Sequence, residues 1–195
     1  AGAAPAQTYE RTGDVAVVQL FTIGHSAHAL EKFINLLELH GIQTLVDVRS
    51  VPASRFHSQF SKRNLSHSLA RQEIQYVFLG QELGGRPSDP ACYAGGVLPE
   101  KGTKPWPRPD YAQIVKRDWF IRGIECLLHY AADRPTTILC SEEDPARCHR
   151  HFLIAEYLRQ NHPNIEVLHI RGNGTLLNAG EIGRDGVTDR QLALL

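Results

Sequence analysis

The eleven residues from Cys140 to Arg150, C-S-E-E-D-P-A-R-C-H-R, carry two thiols, three carboxylates, one imidazole and two guanidinium groups. Such a set suits nucleophilic, acid–base or metal chemistry. The run T-T-I-L before Cys140 is apolar and β-branched enough for a buried strand, and Asp144-Pro145 has the N-cap and first-turn residues of a helix start. A strand, a tight loop and a helix in that order put the loop at the carboxyl end of a strand. Open α/β sheets bind ligands there, and helix N–H groups favour anions.

Three chemistries compete for the stretch. A thiolate and an arginine framing an anion need a C-x5-R spacing, but position 146 is alanine and Arg147 comes one residue late. Glu142, Glu143 and Asp144 would also repel a phosphate, so a phosphatase-like or rhodanese-like role is disfavoured. Cys140, Cys148 and His149 are soft donors that suit zinc or iron, yet four ligands at a familiar spacing are not visible. No metal ligand and no cofactor is therefore assigned. Cys148 equally fits a cysteine packed against a sheet, and for Cys140 packing and chemistry both stand open. The third possibility is carboxylate chemistry. Asp47 and Glu142 both fall at or just past the ends of predicted parallel strands, so they can converge on one cleft. A carboxylate there could activate water or stabilise a cationic sugar-like transition state. Asp47 has a plainer alternative, a buried ion pair with Arg49 or Arg150. The catalytic candidates are Asp47, Glu142, Arg49 and Cys140.

A second group of residues could hold a ligand. From Arg49 to Arg71 there are five cations, Arg49, Arg55, Lys62, Arg63 and Arg71, and no acidic residue. Phe56, His57, Phe60 and His67 lie among them, so aromatic faces and charges would be presented together. A solvated loop and short helix is the plain alternative. With His25 and Ser26 after the first strand, Gln59, and Gly84 and Arg86 of the glycine-rich G-Q-E-L-G-G-R-P stretch, the substrate-binding candidates are His25, Ser26, Arg55, Phe56, Gln59, Phe60, Gly84, Arg86, His149 and Arg150.

The elements that must position these groups follow from periodicity. Val15–Ile23, Thr44–Val48, Gln75–Leu79, Thr136–Cys140 and Glu166–Ile170 read as strands. Leu30, Phe33, Ile34 and Leu37 form one helical face, with Ser26 as a possible cap before it and Gly41 at the C′ position. Strand, helix and strand within about thirty residues match a right-handed βαβ unit and a parallel sheet. Tyr111–Tyr130 reads as a helix interrupted near Gly123, and Pro145–Gln160 as another. Residues 88–109 read as a long irregular excursion, which with the next helix start carries a weaker basic region including Lys101, Lys104 and Arg108. The expected fold is α/β: a single-domain, three-layer, Rossmann-like arrangement over residues 1–195, with a mostly parallel sheet of about five strands. Residues 1–12 are expected to be flexible.

Composition sets limits on partners. There are 21 basic and 21 acidic side chains and a formal net charge of zero, so any attraction to nucleic acid must be local. The four cysteines do not form a disulfide framework, and no run approaches the length of a membrane span. A reduced, cytoplasmic, soluble monomer with no membrane partner is expected.

The chain resembles the bacterial and archaeal family catalogued as domain of unknown function 488. The motifs are T-I-G-H-S at Thr22–Ser26, D-V-R-S-V-P at Asp47–Pro52, the Arg55–Phe60 segment, G-x-E-L-G-G-R-P at Gly80–Pro87 and the Cys140–Arg150 stretch. The resemblance implies an activity on DNA, excision of a modified pyrimidine such as 5-hydroxymethyluracil by cleavage of the N-glycosidic bond. The expected partner is then duplex DNA with a modified or flipped base. Two other readings remain: a thiol- or metal-dependent enzyme centred on Cys140 and Cys148, and a noncatalytic module that binds nucleic acid or nucleotide.

Overall fold

The structure is a computed structural model that describes residues 16–53 and 56–182. The expected flexibility of residues 1–12 and the site candidate Arg55 lie outside the described residues. In chain order the elements are β1 (Val18–Gly24), α1 (Leu30–Leu39), β2 (Thr44–Asp47), α2 (Lys62–Ala70), β3 (Gln75–Phe78), α3 (Tyr111–Ile114), α4 (Asp118–Asp133), β4 (Thr136–Cys140), a π-helical segment (Arg150–Ala155), α5 (Glu156–Asn161), β5 (Ile165–Ile170) and β6 (Leu176–Asn178). The strands form one sheet in the order β3-β2-β4-β1-β5-β6. Every pairing is parallel except that of β5 with β6. The sheet is thus the expected mostly parallel, Rossmann-like one, with a sixth, antiparallel edge strand.

Successive side chains on a strand point to opposite faces, and two separate cores result. Phe21, Ile23, Leu45, Leu139, Leu168 and Ile170 pack with Phe33 and Leu37 of α1 and Leu65 and Leu69 of α2. Leu20, Val46, Ile138 and Val167 pack with Phe120, Ile124 and Leu127 of α4 and with Leu153, Ile154 and Leu158. Helices therefore cover both faces and give three layers. No helix among the described residues is long and apolar enough to cross a membrane.

Three local readings change. The N-cap of α1 is Ala29, not Ser26, whose positive φ of 45° belongs to the turn before it. The long helix breaks at residues 115–117 rather than at Gly123, which stays helical and where Glu82 and Leu83 lie too close for a larger residue. A Cβ on Gly123 would sit 2.6 Å from that of Glu82. The segment from Pro145 is not one helix. Asp144 caps only the short turn Pro145–Arg147, Cys148 is extended, and the chain then resumes as the π-helix. Gly41 does take the C′ position, with φ +62°.

Candidate functional site

The connections after β1 and β2 run to the α1/α2 face, whereas that after β4 runs to the α4/α5 face, and β4 lies between them. Loops that part to opposite faces leave a crevice at the strand ends, and here it opens at Cys140. The neighbouring strand grips the loop closely. His25 N–H donates to the Cys140 carbonyl at 3.1 Å and Ser26 N–H to that of Ser141 at 2.8 Å. Gly24 is obligatory there, because a Cβ would overlap the Glu142 carbonyl.

Side chains from both ends of the 140–149 loop meet in this crevice. Cys140 Sγ donates to Glu142 Oε2 at 3.2 Å. His149 Nδ1 lies 3.5 Å from Cys140 Sγ and 3.9 Å from Cys148 Sγ. The ring's Nε2–H donates to the Val48 carbonyl at 3.2 Å, which leaves Nδ1 facing the sulfurs. Gly85 lies flat on the ring, where a Cβ would stand 2.8 Å from His149 Cγ.

The two buried thiols are unequal. The hydrogen bond to Cys148, burial and the Cys148 and Glu142 charges push the Cys140 thiol well up. Burial raises Cys148 too, but the Cys140 S–H, His149 and Arg150 outweigh it and hold that thiol well below its ordinary range. For His149, burial favours the neutral ring, and Cys148, Glu142 and the Val48 carbonyl together overcome it, so its pKa is raised. Negative charge is therefore favoured on Cys148 over Cys140, with His149 as the adjacent positive partner.

Arg150, a substrate-binding candidate, is fully buried and holds the loop instead. Its guanidinium donates to the carbonyls of Glu142 and Glu143, the second at 2.6 Å, and its Nε–H to Thr22 Oγ1 at 3.1 Å. Thr22 Oγ1 is also hydrogen-bonded to His169 Nδ1 at 2.7 Å, and His169 Nε2 to His151 Nδ1 at 3.1 Å. Glu143 is bound as firmly: Arg171 grips both oxygens at 3.0 and 2.9 Å and Gly172 N–H adds a third bond. These contacts, with Arg171 first, lower its pKa to about 2. Glu142, Glu143, Asp144 and Arg147 line a surface hollow beside the loop. Its acidic majority makes it unsuited to a phosphate.

Asp47 and Arg49 form a different cluster, on the α1/α2 side. Asp47 is fully buried and meets four donors: the Arg49 N–H at 3.1 Å, Arg49 Nε at 2.9 Å, Arg49 Nη2 at 2.6 Å and the Tyr76 hydroxyl at 2.7 Å. Its carboxylate has no acceptor site left for water, so the ion-pair alternative describes it, with Arg49 as partner. Arg49 Nη2 also donates to the Phe60 carbonyl at 2.8 Å. Phe60 is fully buried between His25, stacked on it at 4.5 Å, and Phe33, which excludes it from ligand contact. His25 donates Nδ1–H to the Ser26 carbonyl, and burial together with Arg49 lowers its pKa to about 4, so the ring is neutral. Gln59 is half-buried and bonds the His28 carbonyl at 3.4 Å. Gly84 is buried against Ser50. Phe56 projects into solvent, 90 % exposed. Exposed Arg86 lies over Trp106 at 5.3 Å.

The candidates are therefore split. Cys140, Glu142, His149 and Arg150 come together at the end of β4, and Asp47, Arg49, His25 and Phe60 beneath the end of β2. Sequence reasoning missed Tyr76, His151, His169 and Tyr111. Tyr111 stands beside Arg108 at 4.6 Å and close enough to feel both thiols, and burial pushes its pKa to about 12. The parity of β1 and β5 could have revealed Thr22 and His169, which are register partners on the side where Arg150 enters.

No curated protein and no solved structure matches the chain. The family model described as Domain of unknown function DUF488 matches residues 29–158, which takes in α1 through the first half of α5 and all of the thiol crevice. With more than half of its length matched, the chain belongs to that family.

Proposed function

We propose that this chain is a nucleic-acid-acting hydrolase, a DNA glycosylase that excises a modified pyrimidine such as 5-hydroxymethyluracil by cleaving the N-glycosidic bond. The observation that carries the reading is Glu142. It is exposed at the switch-point crevice with its carboxylate against Cys140 Sγ, whereas Asp47 and Glu143 are engaged by Arg49 and Arg171. In the proposed reaction Glu142 takes a proton from water as the oxygen bonds to the sugar C1′ and the bond to the base breaks. The proton then passes to the departing base, leaving an abasic site and a free base.

DNA binding in this reading uses surfaces beside the crevice. Exposed Phe56 offers a face for stacking, and Arg86 and Arg108 are held over Trp106 and Tyr111. The stretch from Arg49 to Arg71 has no acidic residue to repel phosphate. With zero net charge the footprint is small and its salt dependence modest.

The test is incubation with duplex DNA containing 5-hydroxymethyluracil, followed by detection of abasic sites and free base. Turnover is expected, and no product from any modified uracil at high enzyme concentration would sink the reading. Cys148, whose thiol is held low and lies 3.9 Å from His149 Nδ1, favours one second reading, thiol chemistry. Alkylation that abolishes turnover while DNA binding persists would move the assignment there.

A further inference from the structure

The three donors in the crevice are arranged as a metal site would need them. The ligand atoms of Cys140, Cys148 and His149 all lie within 4.8 Å of one another. Bond lengths to zinc of about 2.3 Å for sulfur and about 2.0–2.1 Å for imidazole nitrogen give tetrahedral edges of about 3.6 Å for S···N and about 3.8 Å for S···S. The observed S···N separations are 3.5 and 3.9 Å. The S···S separation is at most 4.8 Å, so side-chain rotation brings the three donors onto one ion.

We propose that Cys140, Cys148 and His149 bind one zinc-class divalent cation, with water as the fourth ligand.

Three further features of the site fit that assignment. His149 donates Nε2–H to the Val48 carbonyl, the outer contact that fixes a metal-bound imidazole and leaves Nδ1 as the ligand. Gly85 against the ring limits its swing. Both sulfurs are buried and face the same imidazole nitrogen, so one ion placed between the three donors would be held away from bulk water. The primary sequence hides the set because one ligand closes a strand and two precede a helix, so no paired short spacing appears. Glu142 stands beside the three donors, 3.2 Å from Cys140 Sγ, and is placed to accept a proton from water on the ion. That last role rests on the hydrolase reading; the binding does not.

The experiment uses the full chain, reduced and without DNA, so its outcome is separate from that of the glycosylase test. The protein is reconstituted with zinc or cobalt(II), dialysed, and its metal content and absorption are measured. One ion per chain is expected, with thiolate-to-cobalt charge-transfer bands, tetrahedral d–d bands, and a melting temperature raised by zinc and lowered again by chelator. Cys140→Ser, Cys148→Ser and His149→Gln should each lose the stoichiometric ion. Should a variant fail to fold, the wild-type cobalt spectrum still decides. Metal content well below one per chain, or bound cobalt without thiolate bands, overturns the proposal.

Discussion

The ends of β2 and β4 are neighbours in the sheet, and each carries a carboxylate close to an arginine, yet they are built in opposite ways. At β2, Asp47 is buried and every acceptor site is filled by Arg49 and Tyr76 through short, well-aimed bonds. At β4, Arg150 ignores the carboxylates and holds the loop by its carbonyls, which leaves Glu142 exposed with one long contact to a sulfur. A saturated group has nothing to offer a substrate. The contrast separates scaffold from chemistry better than residue type does, since both ends contain the same kinds of residue.

Four measurements press on that contrast, beginning with the largest effect. Asp47→Ala should cost about 3–5 kcal/mol in denaturant unfolding, because it strands the buried Arg49 guanidinium. A loss under 1 kcal/mol would break the distinction. Glu142→Gln should change stability by no more than about 0.5 kcal/mol while lowering base-release turnover by about 10²–10⁴-fold. Equal activity in variant and wild type would place the chemistry elsewhere. Third comes acid stability. Burial, His151, Arg150 and Arg171 outweigh Cys148 and lower the His169 pKa to about 3, below its ordinary 6.5. Its contribution is therefore complete above about pH 6.5 and is lost as pH falls toward 3. Glu143, lowered from 4.5 to about 2, adds a second loss below about pH 4.5. Unfolding followed across pH 2–8 should show both limbs; His25, lowered to about 4, shares the first, so His169→Gln should shrink that limb and leave the second unchanged. Last, Phe56→Ala should weaken binding of DNA by about 1–3 kcal/mol, the worth of one stacking contact, with stability unchanged.

The fold was largely legible because strands buried on both faces, such as Thr44–Asp47 and Thr136–Cys140, are short apolar runs that nothing else explains. The edge strand Leu176–Asn178 was not, since its three residues are partly exposed and it exists only by pairing with β5. The crevice was half legible. Cys140, Glu142 and His149 are close in sequence and stay close in space. Whether Asp47 joined them depended on which way its side chain points off β2, and parity is easily read only once the facing helices are known. Arg150 misled for a related reason. A cation beside reactive groups looks like an anion binder, and only burial reveals that it holds its own loop.

The π-helix Arg150–Ala155 amounts to one residue too many in a helical turn, and such turns recur where function displaces regular geometry. At the level of the gene, its difference from an ordinary α-helical turn is a single codon. Removing one residue within Arg150–Ala155 would restore an ordinary α-helix and rotate everything before it by about 100° relative to α5. Arg150 would swing off the loop carbonyls, and His149 off the sulfurs, while Leu158 of α5 kept its place. Chains of this architecture that lack the extra residue should then fold alike and do different chemistry, so the length of this one turn serves as a marker for sorting them.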